Sequence, residues 1–182
     1  MTPNRQKPAP KPLDSTRLEE LALHYAARYA TSRAKLSTYL RRKLRERGWA
    51  GEDAPDVAAL VGRLADLRYV DDGAFATMRG TALARRGYGT RRIAAALDEA
   101  GIAEEDRGEA MARSAGEGWQ AANILARRKR IGPYAGERVA REDRQKQIAA
   151  FIRAGHDFAT AARWVDAAPG EMPPGGEDGD ED

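Results

Sequence analysis

Arg85-Arg86-Gly87-Tyr88-Gly89-Thr90-Arg91-Arg92-Ile93 is the stretch on which the reading of this chain turns. Upstream, Phe75, Met78, Ala82 and Leu83 recur at helical spacing; downstream, Ile93, Ala96, Leu97 and Ala100 do the same and stop at Gly101. The nine residues therefore predict a tight corner between two helices, with cations at the end of one and the start of the next. Such a corner suits contact with an anionic surface and carries none of the groups of a catalytic centre.

The same helical grammar extends outward. Leu18, Leu21, Ala22, Tyr25 and Tyr29 share one face of a first helix, which Asp14 or Ser15 can cap. A second begins at Thr31-Ser32, buries Leu36, Tyr39, Leu40 and Leu44, and stops at Gly48. Val57, Leu60, Val61, Leu64 and Leu67 define a third, behind Pro55. The Ala-rich, charged segment 103–115 is expected to be a sixth helix, after the two that flank the corner. Trp119, Ala122 and Ala126 open another cycle; Ile148, Phe151 and Ile152 end at Gly155; Phe158, Ala161, Ala162 and Val165 close it. The stops Gly48, Gly101 and Gly155 recur 53 and 54 residues apart. A period near 50 with about three helices per unit predicts an all-α tandem array of three-helix modules, elongated and curved. The expected divisions are a disordered basic arm over 1–14, modules over 15–72, 73–115 and 116–168, and a disordered acidic tail over 169–182.

Composition supports the helical reading. Of the 182 residues 32% are charged and only 7% aromatic, a mix poor in strand formers. With no cysteine there is no disulfide, thiolate metal site or thiol nucleophile. No apolar run reaches the roughly 18 residues that would cross a bilayer. The polar, Pro-rich start lacks the apolar core of a signal peptide. A soluble, cytoplasmic, monomeric protein without membrane contact is expected. The net charge of +3 hides an asymmetry: six acidic residues and no base lie beyond Gly170, so the rest of the chain sets 31 cations against 22 acids, a net +9. A basic body of this kind points to an anionic partner.

His24 and His156 have no ligand-like neighbours in sequence, and no serine sits in a nucleophile-elbow pattern, so no metal, cofactor or catalytic residue is expected. Gly87-Tyr88-Gly89 lacks the Lys-Ser/Thr of a phosphate loop. Asp71-Asp72, ahead of Gly73-Ala74-Phe75, is expected to act as a helix N-cap. The remaining candidates are three basic clusters that predict a partner or DNA-binding surface. Arg41, Arg42 and Arg45 lie on the polar side of the second helix. Arg85, Arg86, Arg91 and Arg92 flank the corner. Arg127, Arg128, Lys129 and Arg130 form the third, and the three are expected at comparable places in successive modules.

Arg68-Tyr69-Val70-Asp71-Asp72-Gly73-Ala74-Phe75-Ala76, then the corner, then Leu97-Asp98-Glu99-Ala100-Gly101-Ile102 resemble, in that order, the RecX regulators of the bacterial RecA recombinase. Ser32-Arg33-Ala34-Lys35-Leu36 and Arg47-Gly48-Trp49 resemble that family's first module. The likeness covers about residues 18–165. Arg68 stands where the family often has Gly, and Thr90 where Pro is common. The resemblance implies a helical array that lodges in the groove of the RecA–DNA filament and represses recombination and ATP hydrolysis without chemistry of its own. It also implies non-specific contact with single-stranded or double-stranded DNA. A RecA-independent nucleic-acid-binding module and a scaffold for acidic protein partners are the competing readings.

Overall fold

The structure, a computed structural model, describes residues 11–175. Among these it holds nine α-helices, two single-turn 3-10 segments and no strand, so the fold is all-α. Packing divides the chain into two compact units, Met1–Asp72 and Gly73–Asp182. Residues 1–10 of the expected arm and 176–182 of the expected acidic tail lie outside the described residues.

The first unit contains α1 (Ser15–Arg28), α2 (Arg33–Arg47) and α3 (Val57–Asp66). Each start is satisfied by a side chain: Asp14 accepts from the Arg17 amide, Ser32 from Lys35 and Asp56 from Ala59. Leu18, Ala22, Leu36, Leu40, Leu60 and Leu64 fill the core. Burying one such leucine contributes about 1.5–3 kcal/mol. Leu13, which falls within the expected arm, is completely buried with them. Its amide donates to the Gly48 carbonyl and its carbonyl accepts from Ala50, so the chain is stitched to the end of α2 before α1 begins. Leu67, expected in the core, is exposed, as is Tyr29 at the C-cap of α1. Asp72 is buried, and its Oδ1 accepts from the Arg33 amide at 2.8 Å. That carboxylate therefore caps the start of α2, 39 residues earlier in the chain, a partner that local spacing does not reveal.

The second unit contains α4 (Asp72–Ala84, entered one residue before the division), α5 (Thr90–Asp98), α6 (Gly108–Gly116), α7 (Gly118–Lys129), α8 (Arg141–Arg153) and α9 (Phe158–Asp166). The segment read as one helix over 103–115 is instead a 3-10 turn at Glu104–Asp106 followed by α6, because Arg107 donates to the Asp98 carboxylate and the Ile102 carbonyl and bends the chain there. Two hydrophobic clusters result. One joins Phe75, Leu83, Ile93, Leu97 and Ile102. The other joins Leu125, Ile131, Phe151, Trp164 and Val165, with Trp119 tilted against Trp164 at 5.1 Å. Tyr88 packs against both. Met78, Ile152 and Phe158, expected in these cores, point outward. Arg144 clamps α8 to α9 through two 2.6 Å bonds to Asp166, and that guanidinium holds the Asp166 carboxyl below its ordinary pKa.

The Gly-Tyr-Gly corner is held by main chain. The Gly89 amide donates to the Ala154 carbonyl at 2.9 Å and the Arg91 amide to the Gly155 carbonyl at 3.2 Å. His156, buried, faces the Gly87 carbonyl with Nε2 at 3.1 Å, so that nitrogen carries the proton of the neutral ring and donates. Gly155 has φ +95°, and a Cβ there would lie 2.3 Å from the Arg92 amide nitrogen; one on Gly89 would lie 2.6 Å from the Gly155 carbonyl oxygen. Thr90 donates its hydroxyl to the Ser114 carbonyl and accepts from the Ser114 hydroxyl, tying α5 to α6.

Three stability outcomes are expected. Gly155→Ala combines left-handed strain with a backbone clash and should cost about 3 kcal/mol or more, whereas Gly116→Ala, whose Cβ meets nothing within 4 Å, should be neutral or stabilising by up to about 1 kcal/mol; urea unfolding compares them. Arg68 adopts φ +61° and gains only an exposed pair with Asp71, so Arg68→Gly should raise stability by roughly 0.5–1 kcal/mol. Burial is the leading influence on His156 and lowers its pKa, while the Gly87 bond and the Asp157 charge oppose it without reversing it. The unfolded chain then takes up the proton first as pH falls. Stability should be full above the ordinary imidazole value of about 6.5 and decline below it until the folded pKa is reached. A urea midpoint that is the same at about pH 7.5 and pH 5.5, or that falls equally in His156→Gln, would contradict this.

Candidate functional site

Two of the basic clusters lie at helix ends and one lies along the solvent side of α2. In α2, Leu36 and Leu40 face the core, so Arg41, Arg42 and Arg45 lie exposed on the other sides. Arg42 pairs with Glu46 at 2.8 Å, while Arg41 and Arg45 have no ion-pair partner among the described residues. Arg47, one turn on, is spent on structure: it donates twice to the Lys11 carbonyl, at 2.9 and 2.8 Å.

In the second unit the structure brings the other two clusters together. Arg128 reaches from the end of α7 to the Arg86 carbonyl at 2.5 Å, which places Arg127, Lys129 and Arg130 on the same junction as Arg85, Arg86, Arg91 and Arg92. All eight are exposed. Arg86 lies over the Tyr88 ring at 5.4 Å, and Arg92 makes a long 3.5 Å contact with Glu99. The side chains of Arg85, Arg91, Arg127, Lys129 and Arg130 have no ion-pair partner among the described residues. Arg130 ends α7 in the left-handed conformation, φ +54°, which turns the last cation away from the helix run. The result is a concentration of guanidinium groups over a junction whose own cohesion comes from glycine backbone and one buried imidazole.

The three clusters do not occupy equivalent positions. Arg85-Arg86 follow α4 and Arg127–Arg130 form the last turn and C-cap of α7, whereas Arg41, Arg42 and Arg45 sit within α2. The counterpart of the corner in the first unit is the α1–α2 junction, where Arg28 lies 5.8 Å from the Tyr29 ring centroid, much as Arg86 does over Tyr88. Sequence periodicity places Tyr25, Tyr29 and Tyr39 on buried stripes and so passes over them; the adjacency of Arg28 to Tyr29 is the signal that marks the corner.

Beside the basic junction lies a cleft of about 710 Å³ lined by Thr90, Arg91, Trp119, His156 and Thr160. Its one carboxylate, Asp157, caps α9: burial works against the charge, but the Thr160 amide and hydroxyl outweigh it and hold the carboxyl below its ordinary pKa. His156 is engaged with Gly87, and His24 lies on the surface of α1. Among the described residues no group of three or more His, Cys, Asp or Glu is placed to hold a metal ion, and no helix is long and apolar enough to cross a membrane.

No protein-family model matches the chain. Regulatory protein RecX of Myxococcus xanthus (strain DK1622) is 34% identical over 168 residues, which cover 88% of this chain and 90% of that protein. Regulatory protein RecX of Mycobacterium sp. (strain KMS) is 36% identical over 105 residues, 57% of this chain and 55% of that one. The crystal structure of RecX from Lactobacillus salivarius superposes with a TM-score of 0.58 at 19% identity, covering 80% of this chain and 90% of that one, a likeness of fold. With a third of its residues shared across nearly the full length of a curated relative, and with the all-α architecture in common, this chain belongs to the RecX family of regulatory proteins.

Proposed function

We propose that this protein is a non-catalytic, cytoplasmic regulator that binds the RecA recombinase filament and its DNA phosphates, and that it inhibits recombination and RecA-dependent ATP hydrolysis. One observation carries the reading: the exposed arginines of the 85–92 corner and the 127–130 run converge on one junction while that junction is held mainly by backbone amides and carbonyls and by the buried His156 ring. Cations that are free of structural duty and concentrated on one surface are what recognition of a polyanion requires. Arg128 is the exception, since it also ties α7 to the corner. Arg41, Arg42 and Arg45 are proposed as a second contact with the same partner.

The decisive experiment is RecA ATP hydrolysis on single-stranded DNA with increasing amounts of the protein. Inhibition below one protein per RecA is expected; a normal rate at excess protein overturns the reading. Replacing Arg85, Arg86, Arg91 and Arg92 with Ala should abolish most of that inhibition with the circular-dichroism helix signal unchanged. In the same variant the slope of log affinity for DNA against log salt should shrink by about 1 for each arginine that contacts a phosphate. DNA binding without any effect on RecA would identify a RecA-independent nucleic-acid module, and neither effect would leave a scaffold for acidic proteins.

A further inference from the structure

The junction between α1 and α2 carries an aromatic and cationic cluster in which Tyr25 and Tyr39 back onto the core while Tyr29 lies open. Tyr25 and Tyr39 stack with centroids 4.1 Å apart and planes at 21°, and Tyr29 leans on Tyr25 at 5.1 Å and 48°. Three cations surround them: Arg28 at 5.8 Å from the Tyr29 centroid, and Arg42 and Lys43 at 5.6 and 5.9 Å from that of Tyr39. Together with His24 these side chains line a cleft of about 370 Å³. Glu46 pairs with Arg42 and Lys43 from outside the cleft, and the Lys43 bond foremost holds its carboxyl below the ordinary value; among the described residues no carboxylate lines the cleft itself.

Helix packing does not require Tyr29 here. Leu18, Ala22, Leu36 and Leu40 already close α1 against α2, and Tyr29 remains 50% exposed. Its counterpart Tyr88, with the same arginine over its ring, is packed between two hydrophobic clusters. An apolar partner helix would have to strip water from three cations, and an acidic peptide would leave the ring faces unused. Unpaired bases joined by phosphates use both: stacking on aromatic faces tolerates any base, and neighbouring cations track the backbone.

We propose that the Tyr25–Tyr29–Tyr39 shelf binds single-stranded nucleic acid, with a base stacked on Tyr29 and the adjoining phosphates at Arg28, Arg42 and Lys43. This deepens the reading above, because Arg42 belongs to the α2 cluster assigned to DNA phosphates, but it does not depend on RecA.

The test uses the full chain and fluorescence anisotropy with three probes of about 15 units: oligothymidylate, an abasic deoxyribose-phosphate chain of the same length, and a duplex. Wild type should prefer oligothymidylate to the abasic chain. Tyr29→Ala should lose about 5-fold or more on oligothymidylate and nothing on the abasic chain, while Tyr29→Phe keeps the preference. Equal wild-type affinity for the oligothymidylate and abasic probes, or an unchanged preference in Tyr29→Ala, overturns the proposal. Photocrosslinking of an iododeoxyuridine oligomer to unaltered protein supplies a reading independent of any folding effect: adducts on Tyr29 or Tyr39 support the shelf, and adducts confined to other peptides overturn it. A protein that passes these tests yet leaves RecA hydrolysis untouched retains the shelf and loses the regulatory reading; inhibition of RecA without base preference does the reverse.

Discussion

The main chain of the 87–91 corner is bonded to the main chain of the 154–156 turn, and the second unit is organised around that clasp. Two amide-to-carbonyl bonds and one imidazole bond join segments some 65 residues apart in sequence. Such proximity is possible only because Gly89 and Gly155 present no Cβ where the two backbones meet. Tyr88, held between them, then seals one hydrophobic cluster against the next. A buried, neutral histidine completes the arrangement at the cost of desolvation, which its bond to Gly87 partly offsets.

The first unit reaches order by another route. Its helix starts are capped by Asp14, Ser32 and Asp56, and the buried Asp72 supplies an acceptor to α2 from the far end of the unit. Here side chains, rather than bare backbone, set the geometry. Leu13 extends the core upstream, and Arg68 adopts a left-handed backbone, φ +61°.

The helices and their stops were legible in the sequence, because amphipathic spacing and helix-ending glycines are local signals; Gly48, Gly101 and Gly155 all take positive φ. What lay beyond reach was which apolar faces are covered. Leu67, Ile152 and Phe158 share helical spacing with buried neighbours yet lie open, while Trp164 and Leu13, outside any expected stripe, are fully enclosed. Periodicity names a face but not its neighbour. Likewise, the basic clusters were legible as charge, but their grouping was not. Arg128 meets the Arg86 carbonyl across 42 residues, a contact no spacing rule anticipates, and the Arg28–Tyr29 pair shows itself as a counterpart of Arg86 and Tyr88 only once the helices are aligned.

A clasp made of main chain is blind to the identity of the side chains around it. The arginines of the corner contribute their amides and carbonyls to it, and any residue supplies those equally well. Apart from Arg128, whose guanidinium reaches the Arg86 carbonyl, charge at this junction can therefore drift, reverse or be redesigned without touching the register of the helices, so that descendants of this fold can retune what they bind while inheriting the same scaffold. The glycines have no such latitude: buried where the two backbones meet, Gly89 and Gly155 admit no side chain without loss of folding.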